Sequence, residues 1–153
     1  MPIHHLQAAF EFIAVTAFGL EAVVVRELRA LGYEPTIIGV GRVLFAGSVS
    51  AICQTNLQLR AADRVLVRLG HFKATDFGQL FDGTRALDWQ QWLPPDAAFP
   101  VTGRSLKSQL SSVPACQKIV KKAVVESLRE AYGITDLDES GPRFSIEVAL
   151  HKD

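Results

Sequence analysis

At 153 residues, 48% of them hydrophobic, the chain is long enough to bury the core of one domain or of two small ones. Sixteen Lys and Arg balance sixteen Asp and Glu, so no global field draws the molecule onto nucleic acid or an acidic membrane, and a polyanion must be met by a local patch. Cys53 and Cys116 are the only cysteines and lack metal or redox spacing, which argues against a disulfide framework and favours a reducing, cytoplasmic compartment.

Residues 10–25 form an apolar stretch, but Glu11 and Glu21 interrupt it and no basic region precedes it, so it reads as a strand and a helix instead of a signal or membrane segment. The strand is expected over 12–18. Apolar residues at 20, 24, 28 and 31 then give a helix stopped by Gly32. Two β-branched runs, 36–40 and 43–45, flank Gly41-Arg42 as a hairpin. A helix over 50–62, with Ser48 or Ser50 as its cap, leads to a strand over 64–69. The order β-α-β-β-α-β is that of a ferredoxin-like split βαβ unit, whose helices cover one face of an antiparallel sheet.

The second half starts with a helix over 76–88, a break marked by Trp89, Trp92 and Pro94-Pro95, and a strand over 99–102. The spacing predicts a helix over 115–132, capped by Ser112, with Pro114 in its first turn and Gly133 at its end. Residues 143–151 alternate Phe144, Ile146, Val148 and Leu150 with polar neighbours, the pattern of a half-buried strand. The fold class is therefore α+β, with domains expected at 1–72 and 73–153.

Little in the chain builds a reaction centre. His4, His5, His71 and His151 are dispersed without ligand spacing, and the first two read as a frayed terminus. Gly39-Val40-Gly41 begins like a dinucleotide fingerprint, but position 44 is Leu44 and the glycines join two strands. Asn56 is the only asparagine, so no asparagine-proline-proline motif of amino-group methyltransferases is present. Asp136, Asp138 and Glu139 read as a solvated acidic loop, and Cys116 as a small buried apolar residue.

One segment stands apart. Residues 97–125 hold no acid, while Arg104, Lys107, Lys118, Lys121 and Lys122 are all basic. On a wheel of about 100° per residue, Lys118, Lys121, Lys122 and Arg129 share one arc, opposite an apolar side of Cys116, Ile119, Val120, Ala123, Val124 and Ala131. The preceding stretch, Thr102, Gly103, Arg104, Ser105, Leu106, Lys107 and Ser108, reads as a loop suited to holding phosphate beside the positive end of the helix.

The run from Phe99 to Ala123, with Gly103-Arg104-Ser105, Ser108-Gln109 and Gln117-Lys118-Ile119-Val120-Lys121-Lys122 inside it, resembles the signature stretch of THUMP domains in bacterial ribosomal RNA guanine-N2 methyltransferases. Phe18-Gly19-Leu20-Glu21, Arg26-Glu27-Leu28 and Leu31-Gly32 are similar to the start of those enzymes, and Gly141-Pro142-Arg143-Phe144 with Ile146 to Leu150 to a later THUMP strand. The resemblance implies a ferredoxin-like domain followed by a THUMP domain, whose boundary is also drawn from about residue 45. Together they bind structured RNA, ribosomal RNA foremost, and present it to a C-terminal methyltransferase domain that uses S-adenosylmethionine. The catalytic domain and a strand pairing with 143–151 are expected beyond Asp153, so the chain is read as a fragment with no cofactor and no catalytic residue of its own.

The expected site is Gly103, Arg104, Ser105, Lys107, Ser108, Gln109, Lys118, Lys121 and Lys122. The cations grip phosphate, and Gln109, Gln117 or Phe99 read bases or an end. The alternatives are a ferredoxin-like regulatory domain with a small molecule near Gly39-Val40-Gly41, and a protein-interaction module anchored by Trp89, Trp92 and Phe81.

Overall fold

The computed structural model describes residues 9–151, which divide between Leu69 and Gly70 into two units. His4 and His5 lie outside the described residues. In the first unit, β1 (Phe10–Thr16), β2 (Thr36–Gly39), β3 (Arg42–Gly47) and β4 (Ala62–Arg68) form an antiparallel sheet in the order β2-β3-β1-β4. β1 starts two residues earlier than its hydrophobicity suggests, because Phe10 and Glu11 pair with both Gly47–Ala46 and, at Glu11, Arg68. Every second residue of β1, namely Phe12, Ala14 and Thr16, is buried, against Val43 and Phe45 of β3. Helices α1 (Glu21–Ala30) and α2 (Ser50–Gln58) cover that face with Val24, Leu28 and Ala51. Fully burying Phe12, Leu28 and Phe45 contributes roughly 1.5–3 kcal/mol each.

Two local details differ from expectation. Neither serine caps α2: its first turn follows Val49, and the Ser48 and Ser50 hydroxyls bond each other at 2.6 Å. Glu21 takes on a task that no sequence motif announced. Its carboxylate accepts from the Gly41 N–H at 2.7 Å and the Gly19 N–H at 2.8 Å, tying the loop before α1 to the β2–β3 turn. These amides, Gly41 foremost, hold the carboxyl below its ordinary pKa. Gly41 has φ 64°, and a Cβ there would stand 2.3 Å from the Thr16 carbonyl oxygen, so only glycine fits.

The second unit contains α3 (Phe77–Arg85), a 3₁₀ turn (Trp89–Gln91), β5 (Val101–Leu106), α4 (Val113–Tyr132) and β6 (Ile146–His151). Asp76 caps α3 by accepting from the Gln79 N–H at 2.8 Å. β5 and β6 run parallel, joined by α4 as a βαβ crossover. Among the described residues β6 pairs with β5 alone. The core is Leu80, Trp89, Leu93, Phe99, Cys116, Val120, Val124 and Leu128, with the Trp89 indole N–H donating to the Thr84 carbonyl at 2.7 Å.

Candidate nucleic-acid interface

The stretch read from sequence as a phosphate loop is mostly a strand. β5 runs through Leu106 because Val101, Gly103 and Ser105 turn inward while Thr102, Arg104 and Leu106 face solvent, a strict period of two. Gly103 is there for packing: a Cβ would come within 3.1–3.2 Å of Val148, Gln117 and Val113 side chains. Ser105 donates its hydroxyl to the Leu110 carbonyl at 3.0 Å, and the Ser108 hydroxyl accepts from the Leu110 N–H at 3.1 Å. Both serines thus fold the β5–α4 connection. Arg104 stands 3.6 Å from Glu147, a diagonal contact across the sheet, since Glu147 pairs in register with Thr102 and Arg104 with Ala149. Lys107 and Gln109 are exposed in the connection, Lys107 with φ 56°.

α4 begins at Val113, with Pro114 in its first turn, and ends at Gly133 with φ 63°. Ser112 occupies the cap position but its side chain makes no capping bond, a correction to the sequence reading. Cys116, Val120, Ala123, Val124 and Leu128 line its buried stripe, and burial pushes the Cys116 thiol up. Ala131, placed on the apolar side by the wheel, is exposed. Lys118, Lys122 and Arg129 form an exposed stripe at i, i+4 and i+11. The Lys122 ammonium lies 5.8 Å from the Phe81 ring centroid.

Lys121 departs from that stripe. Its ammonium is bonded to the Glu139 carboxylate, donates to the Phe99 carbonyl at 3.1 Å and stands 3.6 Å over the Phe99 ring. Glu139 therefore belongs to a specific pair instead of a solvated acidic loop; a contact across 18 residues leaves no periodic trace in sequence. Phe99 is 1% exposed, so it cannot stack on a base. Trp89, at 4%, cannot anchor a partner. Gln117 packs beside Gly103. Among the described residues no group of three or more His, Cys, Asp or Glu is placed to hold a metal, and no helix is long and apolar enough to cross a membrane.

An antiparallel four-stranded sheet under two helices, followed by a βαβ unit with lysines along its crossover helix, defines an α+β chain of ferredoxin-like plus mixed α/β type. The chain belongs to the THUMP-domain family: the THUMP domain model matches residues 74–153, and the RlmL ferredoxin-like domain model matches residues 11–66. It is 45% identical over 146 residues to a Bacillus subtilis protein named "Putative RNA methyltransferase YpsC". That match covers 94% of this chain and 38% of the relative. A Cellvibrio japonicus protein named Ribosomal RNA large subunit methyltransferase K/L is 27% identical over 93% of this chain and 19% of its own length. A crystal structure from Listeria monocytogenes, described as "a predicted N6-adenine-specific DNA methylase", superposes with TM-score 0.90 at 50% identity. It is covered over 38% of its length by 95% of this chain. The chain thus spans well under half the length of each of these proteins.

Proposed function

We propose that this chain is the RNA-recognition module of an S-adenosylmethionine-dependent RNA methyltransferase, with 23S ribosomal RNA as substrate and a guanine N2 as the modified atom. The observation that carries the reading is the display of Lys107, Lys118 and Lys122, all exposed, within an acid-free stretch of the THUMP-matched unit. Three ammonium groups on a folded scaffold neutralise phosphates without reading bases, which fixes the register of a structured RNA for chemistry carried out by another domain. Arg104 joins them when a phosphate replaces Glu147 as its partner. Gly103, Ser105 and Ser108 shape the β5–α4 connection, and exposed Gln109 is the candidate base reader. The names of the Bacillus and Cellvibrio relatives support the substrate class.

The partners in this reading are structured ribosomal RNA and a C-terminal methyltransferase domain, and the compartment is the cytoplasm. The adenosylmethionine belongs to that other domain. Here the residues do not fit it: the Gly39–Gly41 pair turns a hairpin, and the Gly41 amide that a nucleotide would use is held by Glu21. No methyl-transfer step is derived from this chain's residues.

The test is a titration of the chain with a fluorescent ribosomal RNA fragment across salt concentrations, with duplex DNA of the same length as competitor. Three to four phosphate contacts at about −0.7 each give a log–log slope of about −2 to −3. Affinity that does not change with salt, or equal preference for the DNA duplex, refutes the reading.

A further inference from the structure

We infer that Lys121 is a positioning residue: it bolts the lead-in segments of both β5 and β6 to α4, and so sets where Arg104 of β5 stands relative to the cations of the helix. The inference rests on the RNA-binding reading above. An ammonium has three N–H donors and no acceptor. In Lys121 one bond goes to Glu139 and one to the Phe99 carbonyl, and the charge faces the Phe99 ring at 3.6 Å. Only 35% of the side chain is exposed, whereas Lys118 one turn earlier and Lys122 beside it are open to solvent.

The two residues it holds lie at consequential places. Phe99 is two residues before β5, and Glu139 opens the segment that becomes β6. From there the chains zip together in parallel. The Gly141 N–H donates to the Asp96 carbonyl at 2.7 Å, Ala98 to Pro142 at 3.0 Å, Phe144 to Ala98 at 2.8 Å and Ile146 to Pro100 at 2.9 Å. A Cβ at Gly141 would stand 2.7 Å from the Asp96 carbonyl oxygen, a backbone atom that cannot swing aside, so the approach is close enough to admit glycine alone. The ladder then continues from Val101↔Ile146 to Leu106↔His151. Side chains on a strand alternate faces, so a slip of one residue at the lead-in would carry Arg104 from the solvent face to the face against α4. Lys121 fastens both lead-ins to one point on the helix. A phosphate on Lys121 would have to displace Glu139 and would loosen the sheet that carries Arg104 and leads into Lys107.

Three single variants of the chain test this: Lys118→Gln, Lys121→Gln and Glu139→Gln, each measured for RNA affinity against salt well below its melting temperature. Lys118→Gln should weaken binding and reduce the magnitude of the slope by about 0.7. Lys121→Gln should weaken binding about tenfold with the slope unchanged, and Glu139→Gln should weaken it likewise. A direct phosphate role predicts the opposite for Glu139→Gln, tighter binding after loss of a competing carboxylate, together with a shallower slope in Lys121→Gln. Either result overturns the inference. A purely structural role would lower the melting temperature of both variants while leaving affinity and slope at parental values, and that also overturns it. If Lys121→Gln does not fold, Glu139→Gln carries the same comparison. Should the parental chain bind no RNA in a salt-dependent way, the RNA reading fails and the bolt is judged by hydrogen exchange: the Phe144 and Ile146 amides should lose protection in Lys121→Gln, and unchanged protection refutes it.

Discussion

Replacing Lys118 and Lys122 together by glutamate should remove most RNA binding while leaving the fold almost intact. Both side chains are exposed and point away from the buried stripe of Cys116, Val120 and Val124. Surface substitutions of this kind cost within about 0.5 kcal/mol each. The one contact at risk is the Lys122 ammonium 5.8 Å from the Phe81 ring, which at an exposed site contributes about 0.5–1 kcal/mol. The total loss of stability should stay below about 2 kcal/mol. Binding suffers differently: two phosphate contacts vanish, so the salt slope should shallow by about 1.4, and charge reversal adds repulsion. At moderate salt we expect at least a tenfold rise in Kd, about 1.4 kcal/mol, nearly the same for RNAs of different sequence because phosphate contacts carry no base information. Fluorescence anisotropy across a salt series, paired with a thermal melt, reads both quantities. Glu126→Lys on the same helix should not weaken binding. Parental affinity and slope in the double variant would mean that the exposed stripe of α4 is a solvated face and that the RNA surface lies elsewhere.

Two further outcomes are expected. Exposed Cys53 should react rapidly with a thiol reagent and Cys116 only as the protein unfolds, since burial raises its pKa and covers its sulfur; equal labelling rates in native buffer would contradict the α4 packing. Glu21 has a pKa lowered in the fold by the Gly41 and Gly19 amides, so its stabilising contribution is present above the ordinary glutamate value and is lost as pH falls through the lowered one. Glu21→Gln should therefore flatten the acid limb of a melting-temperature profile while changing the neutral-pH RNA affinity little, and an acid limb identical to the parent would refute the clamp.

Much of the first unit was legible in the residues themselves. The apolar run that begins at Phe12, the helical spacing of Val24 and Leu28, and the glycine at position 41 are local patterns that one strand, one helix or one turn imposes on its own sequence, whereas the burial of every second residue of β1 came only with the sheet. The acid-free run that includes Lys118 and Lys122 was visible for the same reason: it is contiguous, and a wheel needs only the helix repeat. The error over residues 102–106 arose where composition and period disagreed, since glycine, serine and cations suggest a loop while the faces they take are those of a strand. Gly103 is small because Val113, Gln117 and Val148 crowd it, and those neighbours arrive from two other elements. Lys121 shows the limit most clearly. On the wheel it is the neighbour of Lys118 and Lys122, equal in charge and close in angle. What separates it is Glu139, 18 residues further on, and the Phe99 carbonyl, 22 residues back, brought to the same ammonium by the βαβ crossover. Charge and period are properties of a segment and can be read along it, whereas a salt bridge between segments exists only where the chain's path through space makes them meet.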